Sequence, residues 1–221
     1  MPAIRTLYSY WRSSAAYRVR IALNLKGMDY VLAPVHLVRN GGEQHHDEYR
    51  KLNPQQLVPT LVDDGHVLTE SLAIIEYLEE AYADTPRLLP RTALACARVR
   101  ALAQMVACEI HPLGNLRVLQ YLVREFGVDD ERKLAWSRRW IEVGFEAIEK
   151  QLTTSEHAGK FCEGDTPGLA DCCLVPQVYN ARRFGVSLGR YPTIARIDAA
   201  CGRLDAFRDA APEAQPDAPK T

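Results

Sequence analysis

Every strand-like run in this 221-residue chain lies before Ser71, and that asymmetry limits the possible folds more than any other feature. Ile4–Ser9 and Tyr30–Leu37 read as strands. Between them Tyr17–Lys26 reads as a helix, with Val19, Ala22, Leu23 and Leu25 apolar and Gly27 as its stop. Gln44–Leu52 is a weak polar helix. Val58–Val62 and His66–Leu68 read as two strands around an Asp64-Gly65 turn. Ser71–Ala83 is strongly amphipathic, with Leu72, Ile75, Leu78 and Tyr82 on one face. Residues 84–91 carry two prolines and predict a linker. Beyond it only helical periodicity remains: Thr92–Phe126 with a kink at Pro112, Asp129–Leu152, Leu169–Asn180 and Thr193–Phe207. The order βαβαββα followed by helices alone predicts an α/β domain over 1–83 and an all-α domain over 92–210. Residues 211–221, rich in proline and alanine, read as a disordered tail.

Composition excludes more than it identifies. A net charge of −1 offers no general attraction to nucleic acid or to a membrane surface. No apolar run approaches the ~20 residues that span a bilayer, and the start of the chain shows no signal-peptide pattern. The six cysteines form no C-x-x-C pair and no zinc-type spacing with histidine, so they read as buried free thiols of a cytoplasmic protein and no metal is expected. His45-His46 reads as a surface loop. Gly41-Gly42 lacks the strand-then-helix setting of a dinucleotide loop.

The chemistry concentrates where strand passes to helix. Arg12, Ser13, Ser14 and Ala15 follow the first strand and open the first helix. A helix N-terminus carries unpaired N–H groups and partial positive charge, so it stabilises an anion there. No cysteine precedes Cys96, so a thiol activated at that point would come from a bound molecule. Glu70-Ser71 opens the amphipathic helix, and by itself reads as an acidic first turn and an N-cap. The same pair also suits a ligand with a carboxylate and an ammonium on one carbon. His111 and Asn115, four residues apart, share one face of the kinked helix. Arg12, Arg117, Arg182 and Arg183 are candidate carboxylate sites, with Arg12 favoured by its place beside the serines.

These stretches resemble the zeta class of glutathione transferases. The resemblance runs from Leu7 to about Pro216. It rests on Tyr-Trp-Arg-Ser-Ser at 10–14, Tyr-Arg-Val-Arg-Ile-Ala-Leu at 17–23 and Leu-Asn-Pro-Gln-Gln-Leu-Val-Pro-Thr-Leu at 52–61. It extends to Ser-Leu-Ala-Ile-Ile-Glu-Tyr-Leu-Glu-Glu at 71–80 and Pro-Arg-Leu-Leu-Pro at 86–90. The second half adds His-Pro-Leu-Gly-Asn-Leu at 111–116 and Ala-Asp-Cys-Cys-Leu-Val-Pro-Gln-Val at 170–178. It implies a thioredoxin-like N-terminal domain, an all-helical C-terminal domain and a homodimer. It also implies that reduced glutathione is the cofactor. The thiol would lie at Ser13 and Ser14, beside Ala15, and the backbone of Val58, ahead of a cis Pro59, would face the cysteinyl unit. Glu70 and Ser71 would take the γ-glutamyl end and Gln44 the glycine carboxylate, while His111 and Asn115 would contribute from the helical domain. Arg12 and Arg183 would clamp a dicarboxylate substrate, with Arg117 a weaker candidate.

The implied reaction converts maleylacetoacetate or maleylpyruvate to the fumaryl isomer, by thiolate addition to the conjugated C=C, rotation and elimination. A glutathione-consuming transferase or dehalogenase and a non-catalytic glutathione-binding module are the alternatives. A thiol–disulfide oxidoreductase is disfavoured, because residues 10–18 hold no cysteine. Three departures stand out. Ala15-Ala16 replace the class's Cys-Ser, Glu70 replaces a glutamine, and Gly168 replaces a threonine N-cap, with Asp171 kept three residues on.

Overall fold

Leu7 and Ser9 of strand β1 (Thr6–Ser9) are buried on one side, while Tyr8 between them turns to the other, and this alternation builds two layers around one sheet. The computed structural model describes residues 5–219, so Ile4 of the expected first strand lies outside the described residues. Helix α1 (Ser14–Leu25) leads to β2 (Val31–Pro34). Two short 3₁₀ turns and α2 (Asp47–Leu52) follow, then β3 (Thr60–Asp63), β4 (His66–Thr69) and α3 (Ser71–Ala81). The sheet order is β2-β1-β3-β4, with β1 parallel to β2 and antiparallel to β3, and β3 antiparallel to β4.

Helices α1 and α3 pack on each other and α3 on β4, and their Val19, Ile21, Leu23, Ile74 and Leu78 are fully buried, as are Leu7 and Leu61 of the sheet. Each such side chain contributes about 1.5–3 kcal/mol by leaving water. The Tyr8 side holds a second cluster of Tyr10, Val35, Tyr49 and Val58, with Trp11, Leu37 and Leu52 packed on it. Asp63 closes the far end by accepting from the Tyr77 and Tyr82 hydroxyls and pairing with Arg5.

The chain divides into two compact units, one running to Leu88 and resuming at Leu204, the other Leu89–Arg203. The expected linker is therefore bound to the first unit as far as Leu88. Lys26, buried against Glu79 at 3.1 Å, also donates to the Pro86 carbonyl, and Leu88 N–H donates to the same carboxylate at 2.9 Å. A buried ion pair is stable only with such further hydrogen bonds.

The tail expected to be disordered is corrected over residues 211–219, and its last two residues, 220 and 221, lie outside the described residues. Residues 211–219 are packed, with a 3₁₀ turn at Pro212–Ala214 and Gln215 buried. The Gln215 amide donates to the carbonyls of Asp209 and Ala211. Helix α9 (Asp205–Arg208) also belongs to the first unit. The Tyr17 hydroxyl donates to the Phe207 carbonyl and the Asn24 amide to the Ala206 carbonyl. The helix expected over Thr193–Phe207 is accordingly two, α8 (Pro192–Cys201) and α9, broken at Gly202 and Arg203.

The second unit is all helix: α4 (Ala93–Gln104), α5 (Leu116–Phe126), α6 (Asp130–Thr154), α7 (Leu169–Arg183) and α8. Its core includes Val99, Ile110, Phe145, Cys172, Val178, Ile194 and Ile197. The expected kink at Pro112 is a full interruption. A π-helical segment, Met105–Ile110, passes into a 3₁₀ turn at His111–Gly114 before α5 starts. Gly144 makes room for it, since a Cβ there would run into the Ile110 side chain. Four cysteines are buried as expected, but Cys96 is half-buried and Cys108 exposed. Burial pushes the thiols of Cys162 and Cys172 well above their ordinary range, which keeps them unreactive. Among the described residues no helix is long and apolar enough to cross a membrane.

Candidate functional site

Three elements of the first unit bring the expected residues to adjacent chain ends. Ser13 is the N-cap of α1, with extended backbone, and its Oγ accepts from Ala16 N–H at 3.2 Å. With one lone pair used in capping, the hydroxyl proton is left to be donated elsewhere. The Ser13 N–H donates to the Tyr10 carbonyl at 2.9 Å, closing the turn that delivers it. Ser14, the first helical residue, is buried, and Ala15 beside it is half-buried. The α1 helix therefore begins three residues earlier than its apolar periodicity suggests, because the cap and not the pattern sets its start. Arg12 is half-buried, its guanidinium 5.3 Å from the centre of the Trp11 ring.

Val58 is buried, and its peptide to Pro59 is cis. It packs in one cluster with Tyr10, so the loop before β3 and the loop before α1 meet.

Glu70 heads α3 with φ 66° and ψ 116°, and its exposed side chain makes no capping bond. The local reading of the pair as an acidic first turn and an N-cap is thus corrected: Glu70 precedes the first turn and holds the N-cap position without performing the task. A left-handed φ at a non-glycine residue costs about 1–2 kcal/mol, and such strain collects where ligands are held. Ser71 follows, buried, and its Oγ accepts from the Arg18 guanidinium at 3.1 Å. Arg18, 2% exposed and on α1, is a candidate that sequence reasoning passed over. Its signal was present, since Arg18 and Arg20 interrupt the otherwise apolar run Tyr17–Leu23.

Gln44, the residue expected near the glycine carboxylate, is buried. Its Nε2 donates to the Leu37 carbonyl at 3.3 Å and lies 3.0 Å from His45 Nε2. His45 Nε2 must then accept, and its Nδ1–H donates to Gln56 Oε1 at 2.7 Å. Both Gln44 amide hydrogens are committed to its own loop. The side chain braces the segment leading to Val58.

In the second unit, His111 is half-buried at the head of the 3₁₀ turn. Asn115 has extended backbone and caps α5, its Oδ1 accepting from Arg117 N–H at 3.2 Å. The shared helical face expected for His111 and Asn115 is therefore corrected, because no continuous helix joins them. His111 instead lines a cavity of about 10 Å³ with Ser137, Gln177, Asn180 and Phe184. Arg183, at the end of α7, is exposed. Its guanidinium donates to Asn180 Oδ1 at 3.3 Å and stands 4.5 Å from the centre of the Phe184 ring. Arg117 is exposed on α5, and Arg182 is paired with Asp198 at 2.6 Å.

In the first unit the donor set is therefore a helix-capping hydroxyl, a second serine over a buried guanidinium, and an outward carboxylate. That set suits an anion at α1 and a carboxylate with an adjacent ammonium at α3.

Residues 7–86 match the family model of the glutathione S-transferase N-terminal domain. A probable maleylacetoacetate isomerase of Vibrio cholerae is 54% identical over 96% of this chain and 97% of its own. A holo structure of maleylpyruvate isomerase, described as a bacterial zeta-class glutathione S-transferase, is 53% identical. It covers 97% of this chain and 100% of its own, with a TM-score of 0.93. The maleylacetoacetate isomerase of Methylobacterium extorquens AM1, solved with malonate and glutathione bound, is 42% identical. It covers 97% of this chain and 100% of its own, with a TM-score of 0.92.

Proposed function

This chain belongs to the zeta-class glutathione transferases, the maleylacetoacetate and maleylpyruvate isomerase family, and from that premise we propose that it is a glutathione-dependent cis–trans isomerase of a maleyl dicarboxylate. Glutathione is its cofactor and is not consumed. When bound, glutathione supplies a thiolate that adds to the conjugated double bond, so that the bond can turn before the thiolate departs and the trans isomer remains.

The chain's own residues make that possible in separable ways. A free thiol has a pKa of ~8.5, so little of it is ionised at neutral pH. The Ser13 hydroxyl, with Ala16 N–H already on its oxygen, donates its proton toward the sulfur, and the start of α1 adds positive potential. Ser14 is the second donor. Ser71, seated on the Arg18 guanidinium, takes the γ-glutamyl carboxylate, and the free carboxylate of Glu70 takes the ammonium. Val58 holds the cysteinyl unit by its backbone, and Gln44 braces the loop at the glycyl end. His111 and Asn115 are the cofactor-binding candidates of the second unit. Arg12 in the first unit, and Arg183 with Arg117 as a further candidate in the second, are the guanidinium groups assigned to substrate carboxylates. A guanidinium beside the reacting bond also stabilises negative charge that develops there.

The observation that carries this reading is the Ser13 cap, a helix start whose hydroxyl oxygen accepts from Ala16 N–H. The test is ultraviolet absorbance of maleylpyruvate and of maleylacetoacetate with purified protein, with and without catalytic glutathione. Conversion that needs glutathione yet leaves its concentration unchanged is expected, and the faster substrate identifies the physiological one. Loss of glutathione in proportion to turnover would instead make the protein a consuming transferase. The same reading makes the chain a cytoplasmic homodimer, to be checked by light scattering.

A further inference from the structure

The turn that delivers Ser13 is held by the far end of the chain. Trp11 N–H donates to Asp217 Oδ2 at 2.9 Å, across 206 residues of sequence. Arg20, fully buried, donates from Nη2 to the Trp11 carbonyl at 3.0 Å. Its Nη1 donates to Ser9 Oγ at 3.0 Å and to the Tyr10 carbonyl at 3.4 Å, and its Nε to the Ala210 carbonyl at 2.9 Å. The Tyr10 carbonyl is also the acceptor of Ser13 N–H. The peptide between Tyr10 and Trp11 is thus gripped at both edges, its N–H by Asp217 and its C=O by Arg20 and Ser13.

We propose that the C-terminal segment Ala210–Asp217 is a positioning element for the cofactor thiol, in which Asp217, through the Tyr10–Trp11 peptide, sets the orientation of the Ser13 hydroxyl. The proposal rests on the assignment of the thiol to Ser13 made above.

The physical argument is short. A peptide group is a rigid plane, so an acceptor on its N–H edge limits rotation of its C=O edge. That C=O is the anchor of Ser13, and a site of this kind works only when its donors are held within ~0.5 Å. An ionised carboxylate makes the stronger kind of bond to a backbone N–H. Burial lowers the Arg20 pKa to about 10, and Tyr30, Tyr17 and Asp217 oppose that fall, so Asp217 also supports the charge of the neighbouring clamp. Gln215 keeps the segment folded through its two bonds to Asp209 and Ala211.

The test uses the full chain with Asp217→Ala and Asp217→Asn. The readouts are kcat, KM, the thermal midpoint and a pH titration of bound glutathione by its thiolate absorbance. Asp217→Ala should lower kcat about fivefold to tenfold, the loss of one such bond, and raise the titration midpoint with little change in substrate KM. Asp217→Asn, which keeps an acceptor oxygen, should restore most of both. A lowered thermal midpoint with kcat and titration at wild-type values would overturn the proposal and leave the segment merely structural. Should Asp217→Ala not fold, Gln215→Met loosens the same segment, and an unmoved titration in that variant would overturn it equally. A wild-type protein whose bound glutathione titrates like the free peptide would sink the thiol assignment itself, and this inference with it. A lowered wild-type midpoint that Asp217→Ala preserves would sink this inference alone.

Discussion

Helices α3 and α7 both open with an acidic side chain in reach of their first turn, and the two acids are used in opposite ways. Asp171 of α7 is 1% exposed, and its oxygens accept from Gly168 N–H at 2.9 Å and Cys162 N–H at 3.0 Å. Glu70 of α3 is exposed, makes no capping bond and holds a left-handed backbone. The first start is closed by the protein itself. The second is left open, over a serine seated on a buried guanidinium. An acid turned inward holds a helix in place, and an acid turned outward leaves a helix start with its charge for a ligand. Helix α1 lies between the two, since the Ser13 oxygen serves the helix while its proton does not.

The largest effect should come from breaking the closed start. Asp171→Ala leaves the buried Cys162 N–H and the half-buried Gly168 N–H without acceptors, at about 1–3 kcal/mol each, so urea unfolding should show a loss of roughly 3 kcal/mol. Glutathione affinity of the protein that remains folded should be unchanged. Equal losses of stability and affinity would erase the distinction between the two starts. The charge on Asp171 sharpens it further. Burial raises the Asp171 carboxyl above its ordinary range, against the pull of its backbone donors. Its contribution is therefore full below the ordinary carboxylate range and declines as pH rises through the raised value. The stability difference between wild type and Asp171→Asn should shrink in that direction, and a difference that grows with pH would contradict it.

Next in size is the half-open start of α1. Replacing Ser13 and Ser14 by alanine removes donors to a developing negative charge, a change that lowers kcat/KM by about a hundredfold in comparable sites. The pH midpoint of bound thiolate should rise together with that loss. The Ser13 change also removes a cap worth ~1 kcal/mol, seen as a lower thermal midpoint. An unchanged thiolate absorbance in the double variant would show that the serines do not serve the sulfur.

Much of this was legible in the chain because it depends on local chemistry. The order of strands and helices follows from periodicity, and the serine pair marks its own position between a strand and a helix. What stayed hidden depends on partners distant in sequence. Nothing in Gln215 or Asp217 announces that one finds carbonyls of a preceding turn and the other the N–H of Trp11. Proline and alanine suggest disorder only while those partners are unknown. The i, i+4 relation of His111 and Asn115 failed for another reason: a π segment and a 3₁₀ turn change the rise and rotation per residue, so helical spacing no longer reports a shared face. Arg18 was overlooked because a charged residue on a helix is ordinarily solvated, whereas here it is buried beneath Ser71.

The smallest change in stability, and the one that best separates backbone from side chain, concerns Glu70. Glycine accepts φ 66° without the steric penalty of a Cβ, but it gains freedom in the unfolded chain. The two terms nearly offset, so Glu70→Gly should stabilise the protein by only about 0.5 kcal/mol. Glu70→Ala keeps the strained backbone and should show no such gain. Both variants lose the carboxylate that receives the ammonium, and both should weaken glutathione binding by about tenfold, as expected for one charge-assisted hydrogen bond. Calorimetric titration with glutathione and thermal unfolding of the pair decide the matter. If only alanine weakens binding, the left-handed backbone and not the carboxylate is what α3 offers its ligand. If glycine stabilises and binding falls in both, the strain at Glu70 is the stability given up to keep that helix start open.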